Sequence, residues 1–236
     1  MIKYLVIGDP ISHSRSPGMQ NAAFEFHHLG RPYGRRRVLR GEVAAFAENA
    51  RRELNGFNLT VPHKAEIIPC LDEIDPAAEL AGSVNTVTVS EGRLIGTSTD
   101  GYGLETALRE NFRRPLEGAC CCFIGCGGAA HATAFHLAGC GVRAIRIANR
   151  TLEKADELAG RLHSIHPELI VETARPDDAD RLRTWFADTD FLIQATSLGL
   201  RDDDPAPFDL NLLEKNARLR IFDTIYRSTP LLRRAA

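Results

Sequence analysis

Along its first hundred positions the chain switches between two hydrophobic periods. Short apolar runs at 2–7, 56–60, 84–90 and 93–97 read as strands, and the stretches 17–29, 41–53 and 62–70 between them carry apolar residues at helical spacing. Only Glu91-Gly92 parts the third run from the fourth, which predicts a hairpin and so at least one antiparallel strand. From about Tyr102 a second alternation begins: a helical stretch to about Asn111, a break at Pro115 and Gly118, then strand, Gly-rich turn, helix, strand and helix. Such alternation predicts an α/β fold. The Gly-rich run from Gly96 to Gly103 marks a boundary between domains at 1–101 and 102–236. The first reads as a mostly parallel α/β sheet domain and the second as a Rossmann-like, doubly wound nucleotide-binding domain, with the cleft between them as the expected ligand site.

Composition narrows the class. At 236 residues and 44% hydrophobic content the chain can fill real cores, and a net charge of -2 gives no reason to expect nucleic acid or an anionic membrane as a partner. A small molecule is the default partner. The opening apolar run stops at Gly8, too early for a secretory or membrane segment, so a cytoplasmic protein is expected. Cysteines at 70, 120, 121, 122, 126 and 140 have poor spacing for disulfides or zinc and read as small buried hydrophobes. His27-His28 and the pair His131 and His136 lack a ligand set of the expected spacing, so no metal is expected. Neither half carries a heptad or a self-complementary patch, which leaves monomer and homodimer both open.

The second half holds the clearest chemical motif. A strand over 119–124 leads into Gly125-x-Gly127-x-x-Ala130 and then a helix ending near Gly139. In that context Gly125 permits the tight turn, Gly127 lets backbone approach a pyrophosphate at the helix N-terminus, and Ala130 allows close helix–strand packing. The next strand, Val142 to Ala148, ends in Asn149-Arg150-Thr151 and not in the acidic residue that grips the ribose of NAD. Thr151 is placed to cap a helix over 152–162, with Lys154 in its first turn, where a cation opposes the helix dipole by a few tenths of a kcal/mol. A bound 2′-phosphate would offset that cost, so Arg150 and Lys154 favour NADP over NAD; the plainer alternative is a solvated basic pair.

Three loops of the first half end strands in polar side chains. After Tyr4-Leu5-Val6-Ile7 comes GDPISHSRSP, in which Ser16-Pro17 reads as N-cap and first helical residue, setting Ser14 and Ser16 where free N–H groups favour a carboxylate. Capping and turn chemistry alone would explain that loop equally well. The segment NLTVPHK at 58–64 again runs into a Pro-initiated helix and puts Lys64 in its first turn, where the dipole favours the neutral amine and proton transfer. Asp100 beside Thr99 reads as a helix N-cap or as the carboxylate that orients Lys64, the proton donor that hydride transfer to a ketone requires. Asn85 could add an amide that reads a substrate hydroxyl.

With these segments in order, the sequence resembles the shikimate dehydrogenase family from Val6 to about Leu232. The matching pieces are GDPISHSRSP at 8–17, NLTVPHK at 58–64, GSVNT at 82–86, TDGYG at 99–103, GCGGAA at 125–130, NRT at 149–151, ATS at 195–197 and DTIY at 223–226. The resemblance implies reversible NADPH-dependent reduction of 3-dehydroshikimate to shikimate, a step of aromatic amino acid and chorismate biosynthesis. It implies that Ser14 and Ser16 hold the substrate carboxylate, that Thr60, Asn85 and Asp100 contact ring hydroxyls, and that Lys64 and Asp100 form the catalytic pair. On the cofactor side it implies Gly125, Gly127, Gly128, Ala129 and Ala130 around the pyrophosphate and Asn149, Arg150, Thr151 and Lys154 around the adenosine phosphate. Thr196, Ser197 and Tyr226 would then lie toward the nicotinamide.

The chain also departs from the family pattern. Gln20, Ser98 and Gln194 stand where the family usually has His, Asn and Asn. After Tyr226 the sequence runs RSTPLLRRAA to Ala236, without the family's usual C-terminal loop and helix, whose absence should expose apolar surface on the first domain and remove one substrate contact. Two other readings stay open: a quinate or aminoshikimate-type dehydrogenase of the same family, and a non-catalytic NADP(H)-binding module.

Overall fold

The computed structural model describes residues 3–30, 32–213 and 216–235. It divides into two compact units, Met1–Asp100 and Gly101–Ala236.

The first unit comprises β1 (Tyr4–Gly8), α1 (Ser16–Phe26), β2 (Tyr33–Arg37), α2 (Val43–Glu53), β3 (Gly56–Leu59), β4 (Glu73–Ile74), α3 (Pro76–Ala81), β5 (Thr86–Ser90) and β6 (Arg93–Thr97). Its strands lie in the order β2-β1-β3-β5-β6-β4. The expected hairpin is present, and β5 pairs antiparallel with both β3 and β6 while the remaining pairs are parallel. Alternation along β1 serves two cores. Leu5 and Ile7 join Phe57, Leu59, Val87 and Leu94 against Val43, Phe46, Ala47 and Ala50 of α2, whereas Val6 packs with Ile11, Tyr33 and Phe24 on the opposite face. Helix α1 buries none of its residues fully, and Met19 and Phe26 stand exposed.

One element differs from its sequence expectation. Residues 61–67 form successive turns followed by a short 3-10 helix at Ile68–Cys70, not the helix predicted for 62–70. The cause is local. Pro69 offers no N–H, and the bonds from Ile68 to Ala65, Cys70 to Ile67 and Leu71 to Ile68 all close three-residue steps.

The second unit comprises α4 (Asp100–Phe112), β7 (Cys120–Ile124), α5 (Gly128–Gly139), β8 (Ala144–Ala148), α6 (Leu152–Ile165), β9 (Ile170–Ala174), α7 (Ala179–Ala187), β10 (Phe191–Gln194), β11 (Arg220–Asp223) and α8 (Pro230–Ala235). Its strand order is β11-β10-β7-β8-β9, parallel throughout, which is the doubly wound arrangement with the reversal point beside β7. Cys120, Cys121 and Cys122 are buried in β7 as expected, but Cys70, Cys126 and Cys140 are only partly buried, because each lies in a turn or at a helix end. Burial pushes the Cys126 thiol up to about 11, so it stays protonated near neutrality. Among the described residues no helix is long and apolar enough to cross a membrane.

Candidate active site

Strand direction gathers the first unit's polar loops. Because β1, β3 and β6 run the same way, the loops after Gly8, Leu59 and Thr97 leave one edge of the sheet, and reversed β5 begins at that same edge just after Asn85. Backbone bonds join the first two loops: Asp9 N–H donates to Val61 O and Thr60 N–H to Ile7 O, each at 3.0 Å. Gly8 permits this contact, since a Cβ there would lie 2.5 Å from Thr60 Cγ2 and 3.1 Å from Val61 O.

Lys64 and Asp100 meet at this edge. Lys64 Nζ donates to Asp100 Oδ2, and the two side chains are only 14% and 20% exposed, so water screens the pair poorly. Asn85 Nδ2 donates to the other carboxylate oxygen at 2.7 Å and to Thr99 Oγ1 at 3.0 Å. The Asn85 carbonyl oxygen in turn accepts from Thr99 N–H at 3.0 Å and from Thr86 Oγ1 at 2.8 Å. The Asn85 amide thus anchors Asp100 and Thr99 from the position that the sequence offers as a reader of a substrate hydroxyl. Because no α-helix starts at Pro62, Lys64 feels no first-turn dipole, and its surroundings are set by Asp100.

Further residues that the motifs did not single out support this centre. Asn58, central in β3, donates from Nδ2 to Thr86 Oγ1 at 2.9 Å and to Asn85 O at 3.1 Å, and its Oδ1 accepts from Tyr33 Oη at 2.7 Å. Asn21 of α1 fixes Tyr33 by pairing with both its backbone N–H and its carbonyl. Burial pushes the Tyr33 phenol well above its ordinary range, which keeps it a donor. Beside Lys64, fully buried His63 contacts Val38 O at 2.8 Å through Nε2 and Glu66 Oε2 at 2.9 Å through Nδ1. The signal for all of these was a polar residue at an inward strand or turn position, and it becomes legible only once register is known.

Ser14 and Ser16 sit on the loop after β1, both partly buried, and Ser14 Oγ accepts from Ser16 N–H at 3.3 Å. The cap differs by one position from expectation: Ser16 is the first residue of α1, Arg15 holds the N-cap position, and the hydroxyl that satisfies a first-turn N–H belongs to Ser14. No hydrogen bond joins either serine, or Thr60, to Lys64 or Asp100 among the described residues. Ser98 Oγ is buried without a partner among them.

In the second unit Gly125 has φ +104°, and a Cβ there would lie 2.7 Å from Thr196 Cγ2 and 3.0 Å from Ala195 backbone. Gly127 faces open space in an extended conformation and precedes α5, whose first turn carries neither a side-chain cap nor an acidic residue. Gly128 and Ala129 are partly buried and Ala130 fully buried against the sheet, so the first-turn N–H groups are free to take an anion. Cys126 Sγ donates to Lys154 O at 3.3 Å, which places this loop against the first turn of α6. Thr151 occupies the N-cap position of α6 without a side-chain cap bond, and Asn149 Nδ2 donates to Thr151 O at 2.7 Å. Arg150 and Lys154 are exposed, and Arg175, which the motifs did not single out, donates to Arg150 O at 2.9 Å while pairing with Asp177.

The turn after β10 is also fixed from within. Buried Gln194 accepts from Thr196 N–H and donates to Leu198 O at 2.9 Å, and Thr196 Oγ1 accepts from Leu198 N–H at 3.0 Å. Ser197 is exposed there, and Tyr226, 48% exposed, follows β11 on the segment whose Arg227 donates to Leu200 O at 2.6 Å.

Residues 6–87 match the family described as shikimate dehydrogenase substrate binding domain, and residues 107–199 match shikimate / quinate 5-dehydrogenase. A shikimate dehydrogenase (NADP(+)) of Bacillus cereus is 39% identical over 228 residues, covering 94% of this chain and 78% of the relative. Among solved structures, shikimate 5-dehydrogenase of Thermus thermophilus, in complex with NADP(H) and shikimate, aligns with TM-score 0.84 and 32% identity over 100% of this chain and 84% of that one. Quinate dehydrogenase of Corynebacterium glutamicum, in complex with NAD, aligns with TM-score 0.84 and 26% identity over 99% of this chain and 84% of its own. The chain belongs to the shikimate dehydrogenase family, whose members named here are dinucleotide-dependent oxidoreductases.

Proposed function

We propose that this chain catalyses the reversible NADPH-dependent reduction of 3-dehydroshikimate to shikimate. The observation that carries the reading is the Lys64–Asp100 pair with Asn85 on its second carboxylate oxygen. One proton of the Lys64 ammonium is held by Asp100, and the others are free to reach a carbonyl oxygen. Lys64 protonates the alkoxide as it forms, and Asp100 keeps the ammonium in place and stabilises its charge until then. Ser14 and Ser16 take the substrate carboxylate, and Thr60 and Asp100 contact its ring hydroxyls. In this reading residues 1–101 bind substrate and residues 102–236 bind the dinucleotide.

NADPH, when bound, supplies the hydride. The uncapped N-terminus of α5, with open space at Gly127 and a closed turn at Gly125, fits a pyrophosphate held by Gly125, Gly127, Gly128, Ala129 and Ala130. Asn149, Arg150, Thr151 and Lys154 take the adenosine phosphate, with no acidic side chain at the end of β8 to repel it. Thr196, Ser197 and Tyr226 border the nicotinamide.

The test follows NADPH oxidation with 3-dehydroshikimate, and NADP+ reduction with shikimate and with quinate in parallel. The proposal expects turnover of the shikimate couple with the highest kcat/KM. A higher kcat/KM for quinate would reassign the substrate, as the likeness to a quinate dehydrogenase allows. Tight NADPH binding with no turnover of any cyclic hydroxy acid would make the chain a binding module instead.

A further inference from the structure

We propose that Glu105, His136 and Cys140 form a site for a divalent transition metal of the zinc class in the second unit. One carboxylate oxygen, one imidazole nitrogen and one sulfur lie within 4.8 Å of one another. Glu105 is thirty-one residues from His136 along the chain, so the set is invisible to motif spacing. His136 in the last turn of α5 and Cys140 at its C-cap are four apart, hence stacked on one helix face, and Glu105 reaches them from α4.

The donors are held before any ion arrives. Glu105 Oε2 lies 2.6 Å from His136 Nε2, while its Oε1 accepts from Arg109 Nε at 2.9 Å, so a cation fixes one oxygen and leaves the other facing the ligand set. Gly101 lets the start of α4 lie directly on this part of α5: a Cβ there would overlap His136 Cβ and lie 2.7 Å from its Cγ.

Mixed sulfur, nitrogen and oxygen donors suit zinc or cobalt(II) in four-coordinate geometry and disfavour magnesium or calcium, which take oxygen alone. Three protein ligands leave one position for water. Binding releases the Cys140 thiol proton to solvent, shifts the proton that His136 Nε2 gives to Glu105 onto Nδ1 of the neutral ring, and replaces the hydrogen bond between Glu105 and His136 with two bonds to the ion. The consequence is a clip between α4 and α5 that the reduction chemistry does not use.

Cobalt(II) titrated into the chelator-treated full chain tests this. The expected result is one ion per chain, a thiolate-to-cobalt charge-transfer band in the near ultraviolet, and its displacement by zinc. Cys140→Ser should abolish the band, and His136→Ala should weaken binding by about tenfold or more. Glu105→Gln, isosteric and gentle on packing, should weaken binding similarly while keeping the band. Cys126→Ser serves as control, since Cys126 and His131 form another sulfur and imidazole contact at 3.5 Å, and should change neither. Zinc, but not magnesium, should raise the Tm of the wild-type chain. Absence of the band in the wild-type chain, its survival in Cys140→Ser, or its loss in Cys126→Ser would overturn the proposal and leave Glu105, His136 and Arg109 as an ion-pair cluster only.

Discussion

Asn85 Nδ2 donates to Asp100 Oδ1 at 2.7 Å while Lys64 occupies Oδ2, so neither carboxylate oxygen can rotate without breaking a bond. A carboxylate fixed in this way defines where the ammonium stands. The remaining N–H groups of Lys64 then point from a set position, which is what proton delivery to one oxygen atom requires.

Replacement of that donor should therefore act on the chemical step. Lys64→Ala is expected to lower kcat by a factor on the order of 10² to 10⁴ with a much smaller change in the substrate KM. Steady-state kinetics with 3-dehydroshikimate checks this. A large rise in KM at unchanged kcat would assign Lys64 to binding instead.

Support behind the pair should divide differently between stability and rate. Tyr33→Phe removes one hydrogen bond to Asn58 and should cost about 1 kcal/mol in chemical denaturation with little change in kcat. Asn58→Ala removes the acceptor of the Tyr33 hydroxyl and one bond each from Thr86 Oγ1 and Asn85 O, which keep Asn85 Oδ1 and Leu59 N–H as partners. It should cost about 1–3 kcal/mol for the Tyr33 hydroxyl left unsatisfied. It should also lower kcat by up to about a hundredfold, the scale on which a 1 Å displacement of a catalytic group acts.

How much of this was legible in the sequence depends on where the determining contacts lie. The β5–β6 hairpin was visible because alternation and the Glu91-Gly92 turn are local, and the β7–α5 loop because its glycines are. Strand β2 was not: its sequence YGRRR is polar, and it forms a strand through parallel pairing along the sheet edge with β1. Helix α3 went unread although Asp75 caps it, Pro76 opens it and left-handed Gly82 closes it, a signal that was present but short. The pairing of Lys64 with Asp100 spans thirty-six residues, so the loops offered it only as an alternative to a helix cap and the family resemblance singled it out. The Asn58 network required the register that sets Asn58 opposite Thr86.

The Glu66 contact gives a pH dependence with a defined sign. Burial raises the tendency of this carboxyl to hold a proton, but bonds from His63 and from Gly41 N–H outweigh it and hold the group below its ordinary range. A folded-state value depressed below the unfolded one contributes stability above the ordinary carboxylate range, and that stability is lost as pH falls through the folded value. The Tm advantage of wild type over Glu66→Gln should thus be constant near neutrality and shrink as pH drops below about 4.3. An advantage that grows on acidification would contradict it.

Coenzyme choice should rest on the basic side chains after β8. Arg150 is exposed at the end of that strand and Lys154 stands in the first turn of α6. Arg150→Ala is expected to raise the KM for NADPH by about 10- to 100-fold, the value of one or two bonds to a charged group, and to leave the KM for NADH nearly unchanged. Equal losses with both coenzymes would place Arg150 away from the 2′-phosphate.

The two glycines of the dinucleotide loop should fail in different ways. Gly125 combines φ +104° with neighbours at 2.7 and 3.0 Å, so Gly125→Ala needs both a disfavoured backbone and movement of Ala195 and Thr196; a stability loss of roughly 1–3 kcal/mol is expected. Gly127 has an ordinary negative φ, and nothing stands within 4 Å of its missing Cβ, so the folded chain has room for Gly127→Ala. That open space is where a pyrophosphate would approach the α5 N-terminus, and a methyl group there blocks it. Gly127→Ala should keep the wild-type Tm in the absence of coenzyme and lose the Tm increase that NADPH gives wild type. If Gly127→Ala unfolds early, the loop has less room than its open surroundings indicate; if it binds NADPH as wild type does, the dinucleotide does not sit on this loop.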